Sequence, residues 1–268
     1  MGALFENKKK VGERMFKSSC HTHTQFCDGK STAEEMVQSA IEKGFTSLGF
    51  SGHSPMDFPN DWGMTEEKLP LYIAEIKRLK EKYKDKIEIL IGFETEYYPE
   101  LFDSFLKSLE GYRYDYLILG QHFTNNEYDG VYSGAPTSDE RVLEKYISQV
   151  IEGIKTGKFT YIAHPDLINF TDRKSAVYKK SAEKLCMAAK ALNIPLEFNL
   201  HGMRIKNKYP CREFFEIAAQ AENDVVLGID AHESDEITDI STEKEAIKIL
   251  KELNISPINN KNAFNYIK

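Results

Sequence analysis

Apolar residues run along this chain in short, nearly continuous stretches, and most are followed by a segment with helical spacing. Ile89-Leu90-Ile91 and Val225-Val226-Leu227 are typical, and such runs fit strands covered on both faces. Strands are predicted over Met15–Cys20, Ser47–Ser51, Glu88–Glu94, Tyr114–Leu119, Phe159–Ala163, Leu196–Leu200 and Val225–Ile229. The first helix opens on a Ser31-x-x-Glu34 capping box, turns Met36, Val37, Ala40 and Ile41 to the core, and ends at Gly44. Further helices are predicted at about Pro70–Tyr83, Leu101–Glu110, Ser138–Thr156, Ser175–Leu192, Pro210–Gln220 and Thr242–Leu253. Strand and helix alternate, which implies parallel pairing through crossovers. The closed form of this pattern is a TIM-barrel-like α/β barrel, with its chemistry at the C-terminal strand ends. An open doubly wound sheet is the alternative, but no Gly-rich phosphate loop follows strand one.

The polar positions sharpen this picture. All seven histidines, His21, His23, His53, His122, His164, His201 and His232, fall at or just past the C-terminal end of a predicted strand. Glu94 and Asp230 stand at the same level. In a barrel these ends surround one mouth, so the groups converge on one pocket. His21 and His23, at i and i+2, face the same way on a continuing strand. Neutral imidazoles with carboxylates suit zinc, iron or manganese. An isolated His-x-His is as well read as two partly buried polar side chains, but seven histidines on one rim point to a multinuclear metal site.

Composition narrows the class. A chain of 268 residues, 41% of them apolar, can bury a large core, and no linker, repeat or low-complexity segment divides it. One domain over residues 1–268 is therefore expected. No apolar run reaches the ~18 residues of a membrane helix, and Met1–Lys17 lacks the apolar stretch of a signal peptide. The net charge of −7 argues against a nucleic-acid surface. Cys20, Cys27, Cys186 and Cys211 form no Cys-x-x-Cys pair and read as free thiols of a cytoplasmic protein. Cys20 and Cys27 are close enough to the site in sequence for a ligand role to stay open.

His21-Thr22-His23 with Asp28, then His53, Glu94, His122, His164 and Asp230-Ala231-His232, resemble the four motifs of the PHP (polymerase and histidinol phosphatase) superfamily. His164-Pro165-Asp166 and the chain length look most like its histidinol-phosphate phosphatase branch. The resemblance implies a distorted seven-stranded (β/α)7 barrel with three divalent metal ions. His21, His23, Glu94 and Asp230 would hold the first; Glu94 would bridge to a second with His122 and His164; Asp28, His53 and His232 would take the third. It further implies phosphomonoester hydrolysis, in this branch of L-histidinol phosphate in histidine biosynthesis. Three divalent ions outweigh three carboxylates, so the site stays cationic and suits a phosphate dianion. Paired ions activate a bridging hydroxide, which makes a Ser or Cys nucleophile unnecessary.

Asp28 and His232 are the candidate catalytic residues, Asp28 either as a ligand or as the acid for the leaving alkoxide. Asp166 either orients an imidazole or caps a helix. His201 either touches phosphate or caps strand six. Of seven arginines only Arg173 and Arg204 follow strand ends at the mouth, and with His201 they are the candidates for gripping the substrate. The loops Ser54–Thr65 and Thr124–Ser138 overhang the mouth as candidate lids. Other readings are a PHP phosphoesterase acting on nucleotides or DNA ends, a barrel amidohydrolase, and a metal-stabilised non-catalytic module. The expected partner is a small phosphomonoester, with neither nucleic acid nor membrane; the oligomeric state is open.

Overall fold

The computed structural model describes residues 16–56, 58, 60–127 and 130–260. Seven strands form one sheet: β1 (Ser18–Ser19), β2 (Ser47–Phe50), β3 (Glu88–Thr95), β4 (Tyr116–Leu119), β5 (Tyr161–Ile162), β6 (Leu196–Asn199) and β7 (Val225–Gly228). They pair in chain order, and every pair is parallel. Beyond β1 and β7 the chain closes the ring: Thr22 bridges Ala231, and the His23 amide donates to the Ala231 carbonyl at 2.8 Å. Closure falls at the level of the histidines. The distorted (β/α)7 barrel is the fold, and the open sheet is excluded.

Helices α1 (Ala33–Glu42), α2 (Lys68–Lys82), α3 (Phe102–Ser108), α4 (Glu140–Lys155) and α5 (Ala176–Ala191) follow the first five strands. Two helices follow β6: α6 (Leu200–Arg204), which the apolar pattern does not predict, and α7 (Arg212–Gln220). A short 3-10 turn (Glu236–Thr238) and α8 (Ile240–Glu252) follow β7. The capping box lies one residue later than expected. The Thr32 hydroxyl accepts from the Glu35 amide and the Glu35 carboxylate accepts from the Thr32 amide, while Ser31 Oγ accepts from the Ser234 amide. Glu34 points outward to Arg78 and Lys82. Gly44 ends the turn as expected, with φ of +77°. Apart from β3, which runs one residue past its predicted end, the strands are shorter than expected, and Met15, at the start of the first predicted strand, lies outside the described residues.

The core has two parts. Leu48, Phe50, Ile89, Ile91, Leu117 and Leu227 pack outward against the helices. Cys20, Tyr116, Ile118, Tyr161, Ala163 and Val226 fill the barrel interior. Tyr116 lies across two strands because Gly49 and Gly92 have no side chains. A Cβ on either would come within 2.4 Å of Tyr116. Its hydroxyl donates to the carbonyls of Cys20 and Phe50 at 2.9 Å. This packed plug is the floor beneath His21 and His23. Among the described residues no helix is long and apolar enough to cross a membrane.

Candidate metal centre

Alternation along the strands puts the polar groups in the barrel mouth. Residues two apart share a face, so His21 and His23, Glu94 and Glu96, Glu197 and Asn199, and Asp230 and His232 all belong to the interior. Glu94, 1% exposed, is the centre of the cluster. Its Oε2 lies 3.1 Å from His21 Nε2, 3.3 Å from His23 Nε2 and 3.3 Å from His53 Nδ1; its Oε1 lies 2.8 Å from His164 Nε2. Asp230 Oδ1 is 3.4 Å from His21 Nε2 and 3.3 Å from His23 Nε2. Asp28 Oδ2 faces His53 Nε2 at 3.5 Å and His232 Nε2 at 3.4 Å, and Asp28 Oδ1 faces His23 Nδ1 at 3.3 Å.

All nine candidate ligands therefore come together. The donor atoms of His21, His23 and Glu94, of Glu94, His122 and His164, and of His23, Asp28, His53 and His232 each lie within 4.8 Å of one another. His23 belongs to two of these groups, and Asp230 also groups with His21 and His164. No cysteine enters any such group among the described residues, although Cys27 Sγ approaches His23 Nδ1 to 3.6 Å.

The donor set fits metal ions. His23 Nε2 and Asp230 Oδ1 are buried without a hydrogen-bond partner, although buried polar atoms are ordinarily satisfied. Burial pushes the Glu94 and Asp230 carboxyls up, but the surrounding imidazoles outweigh it and hold both well below the usual carboxylate range. Burial likewise disfavours charge on His21 and His23, yet the facing carboxylates raise both well above an ordinary histidine. Burial lowers His53. Two ligand candidates, His164 and Asp230, have left-handed backbone, with φ of +30° and +50°, a strain that persists only where the surroundings enforce it.

Three carboxylates escaped the sequence reading. Glu197 Oε1 accepts from His21 Nδ1 at 2.7 Å, and Glu96 Oε1 accepts from His122 Nδ1 at 2.7 Å. Burial works against a charged His122, but Glu96 outweighs it and pushes the imidazole up to about 9. Glu236 accepts from the His232 amide at 2.6 Å and from Arg204 Nε at 3.2 Å, with His201 Nδ1 3.7 Å away. The signal for Glu96 and Glu197 was available, since each is one member of an i, i+2 polar pair at a strand end. Glu236 had none, because it sits in a 3-10 turn.

A cavity of about 320 Å³ opens above the cluster. His23, Asp28, His53, Glu94, His122, His164, Asp230 and His232 are in its lining. Trp62, Phe123, Tyr132 and Tyr209 add an aromatic lining, with Ile205 and His201; the Trp62 ring lies 4.8 Å from that of His53 and the Tyr209 ring 5.6 Å from that of His164. Trp62 Nε1 donates to Glu127 Oε1 at 3.0 Å, tying the two overhanging loops together; Asp57, Pro59, Tyr128 and Asp129 of those loops lie outside the described residues. His201 sits in the first turn of α6 rather than capping β6, its ring 4.8 Å from that of His232. Neither arginine lines the cavity. Arg204 Nη2 donates to the carbonyls of Ile229 at 2.6 Å and Asp230 at 3.1 Å, and Nη1 has no partner. Arg173 donates to the carbonyls of Lys208 and Ile168, on a separate surface depression. Asp166 touches no imidazole and caps no helix of its own loop; it accepts from the Cys211 amide at 2.5 Å, at the start of α7.

A family model for the PHP domain matches residues 19–201, more than half of the chain. The chain belongs to the PHP family. The match begins just before His21 and stops at His201, so Asp230 and His232 join the PHP cluster through closure of the barrel. A probable histidinol-phosphatase of Deinococcus radiodurans is 28% identical over 232 residues, covering 81% of this chain and 86% of the relative. The histidinol-phosphatase of Bacillus subtilis is 28% identical over 259 residues, covering 83% and 96%. The crystal structure of histidinol phosphate phosphatase from Lactococcus lactis, complexed with zinc, L-histidinol and phosphate, shares the fold. It aligns with a TM-score of 0.72 over 90% of this chain and 95% of that one, at 20% identity.

Proposed function

We propose that this PHP protein is a metal-dependent phosphomonoesterase acting on L-histidinol phosphate. The observation that carries the reading is Glu94 buried among four imidazoles at the base of a small cavity, in a chain whose relatives include histidinol-phosphatases. His21, His23, Glu94 and Asp230 would hold one ion; Glu94, His122 and His164 a second; Asp28, His53 and His232 a third. Bound divalent ions lower the pKa of water and neutralise charge on the phosphoryl oxygens.

The remaining work belongs to side chains. Asp28 is 30% exposed while Glu94 is 1% exposed, so Asp28 is the carboxyl of the cluster that reaches the leaving alkoxide. His201 faces the phosphate from the cavity wall, and Arg204 stands behind it with Nη1 free of other partners. Arg173 has no part in the reading, because its guanidinium is spent on carbonyls outside the cavity. The aromatic lining suits the flat, cationic imidazole of histidinol. Among the described residues no Ser, Thr or Cys lines the cavity, and the histidines and carboxylates that do are the candidate ligands or, for His201, the candidate phosphate contact; the reading is therefore a single displacement without a phosphoenzyme. The whole of residues 1–268 would act as one unit in the cytoplasm, where four thiols outside any disulfide stay reduced.

The test is a substrate panel with metal analysis on the same sample. Histidinol phosphate should be hydrolysed with much higher kcat/KM than nucleoside monophosphates, phosphotyrosine or a short oligonucleotide. A preference for any of these would replace the substrate assignment. In isotopically labelled water the released phosphate should show inversion at phosphorus; retention would point to a covalent intermediate.

A further inference from the structure

Six of the seven strands send a candidate ligand into the mouth: β1 gives His21 and His23, β2 His53, β3 Glu94, β4 His122, β5 His164, and β7 Asp230 with His232. Strand β6 gives none. Its two inward positions are nevertheless polar, and Glu197 and Asn199 are both fully buried. A buried carboxylate is costly unless donors surround it, and Glu197 has three. Oε1 accepts from His21 Nδ1 at 2.7 Å, and Oε2 accepts from the His164 amide at 2.9 Å and from Asn199 Nδ2 at 2.8 Å. Asn199 Nδ2 also donates to Asp230 Oδ2 at 3.0 Å, and its Oδ1 accepts from the Gly202 amide at 3.0 Å.

Strand β7 gives way to this arrangement. A Cβ at Gly228 would stand 1.7 Å from Glu197 Oε1, so any other residue there would expel the carboxylate. The strain pattern agrees as well. The two ligand candidates with left-handed backbone, His164 and Asp230, are both tethered through β6.

We infer that Glu197 and Asn199 form a positioning pair that fixes the tautomer of His21 and holds the strained His164 and Asp230 in place for metal binding. The inference rests on reading the cluster as a metal centre. With its Nδ1 proton committed to Glu197, His21 keeps Nε2, which faces Glu94 and Asp230, as the nitrogen that would be given to a metal ion. A carboxylate is required because both oxygens face donors. In Glu197→Gln one of the two positions becomes an NH₂ group aimed at a donor, so the isosteric change breaks the network.

The experiment is competition of zinc against a chromophoric chelator, with circular dichroism to confirm folding. Glu197→Gln and Gly228→Ala should each lower zinc affinity by about 10–100-fold, the usual effect of losing a partner behind a metal ligand. Asn199→Ala should cause a smaller loss, since His21 keeps its carboxylate. In ¹⁵N spectra of zinc-loaded protein, the hydrogen-bonded His21 Nδ1 proton should be present in wild type and Asn199→Ala, and lost in Glu197→Ala. Folded Glu197→Gln with wild-type zinc affinity overturns the inference. Should that variant not fold, unchanged affinity in Asn199→Ala together with Gly228→Ala overturns it equally. Wild-type protein that binds no zinc would instead defeat the metal centre itself, and a failed substrate panel leaves these affinities unaffected.

Discussion

Glu94 is the residue on which the centre turns, because one carboxylate meets His21, His23, His53 and His164 together. Glu94→Ala should therefore strip or scramble more than one ion and take turnover to background. Metal analysis showing a full complement, with near-normal hydrolysis, would sink the bridging role. Gly120 gives an independent handle: its added Cβ would fall 1.9 Å from Glu94 Oε1, so Gly120→Ala should reproduce part of that loss without removing a ligand. Arg204 makes a subtler case. Its Nη2 holds the carbonyl of strained Asp230, so Arg204→Ala should raise KM and also loosen metal, where an arginine that only grips phosphate would leave metal content intact. Lysine at 204 should restore little, since it keeps the charge but not the fork that reaches Glu236 and two carbonyls. The nine ligand candidates were legible in the sequence because histidine is rare and all seven chose one rim. The residues behind them were less visible, as Glu and Asn are common everywhere and only i, i+2 phase marks the inward ones.

Elements were legible where their apolar runs were long and blurred where single hydrogen bonds decide. All seven strands and their order follow from alternation, yet β1 and β5 pair over only two residues each. Helix α6 has five residues, too few for a period, and exists because Asn199 caps it through the Gly202 amide. It matters more than its size, since it carries both His201 and Arg204. The start of α1 is a finer case. Ser31 and Thr32 are both hydroxyl residues, and Glu34 and Glu35 both stand three residues on, so spacing alone cannot choose between the pairs. The structure chooses Thr32 with Glu35. Thr32→Ala should then cost about 1 kcal/mol of stability, as lost N-caps do. Ser31→Ala should leave α1 intact, since its hydroxyl serves Ser234 in the next loop. Equal losses from the two in chemical denaturation would return the cap to Ser31.

At the scale of the whole molecule, the mouth gathers carboxylates that no fold would bury for stability alone. Glu94, Glu96, Glu197 and Asp230 are all less than 5% exposed, and each faces at least one imidazole. Without metal, His21 and His23 act as the counter-ions. Burial opposes their charge, but the carboxylates raise both well above the ordinary value. A histidine whose folded pKa is raised contributes stability that is fully present below its unfolded pKa and is lost as pH rises through the folded one. Metal-free protein should thus weaken on the alkaline side, as the imidazoliums discharge and the carboxylates repel. Metal binding runs the other way. Each ligating imidazole must give up its proton, so affinity grows with pH until those protons are gone. The metal-free slope is common to both samples, so the gap in thermal midpoint between metal-loaded and chelator-treated protein reports binding alone and should widen as pH is raised from the acid side until those protons are gone. Calorimetry in buffers of different ionisation enthalpy should register net proton release on metal binding, diminishing toward alkaline pH. A gap that stays constant across pH, with no protons released, would mean that the imidazoles are neutral before metal arrives and that something other than His21 and His23 balances the buried carboxylates.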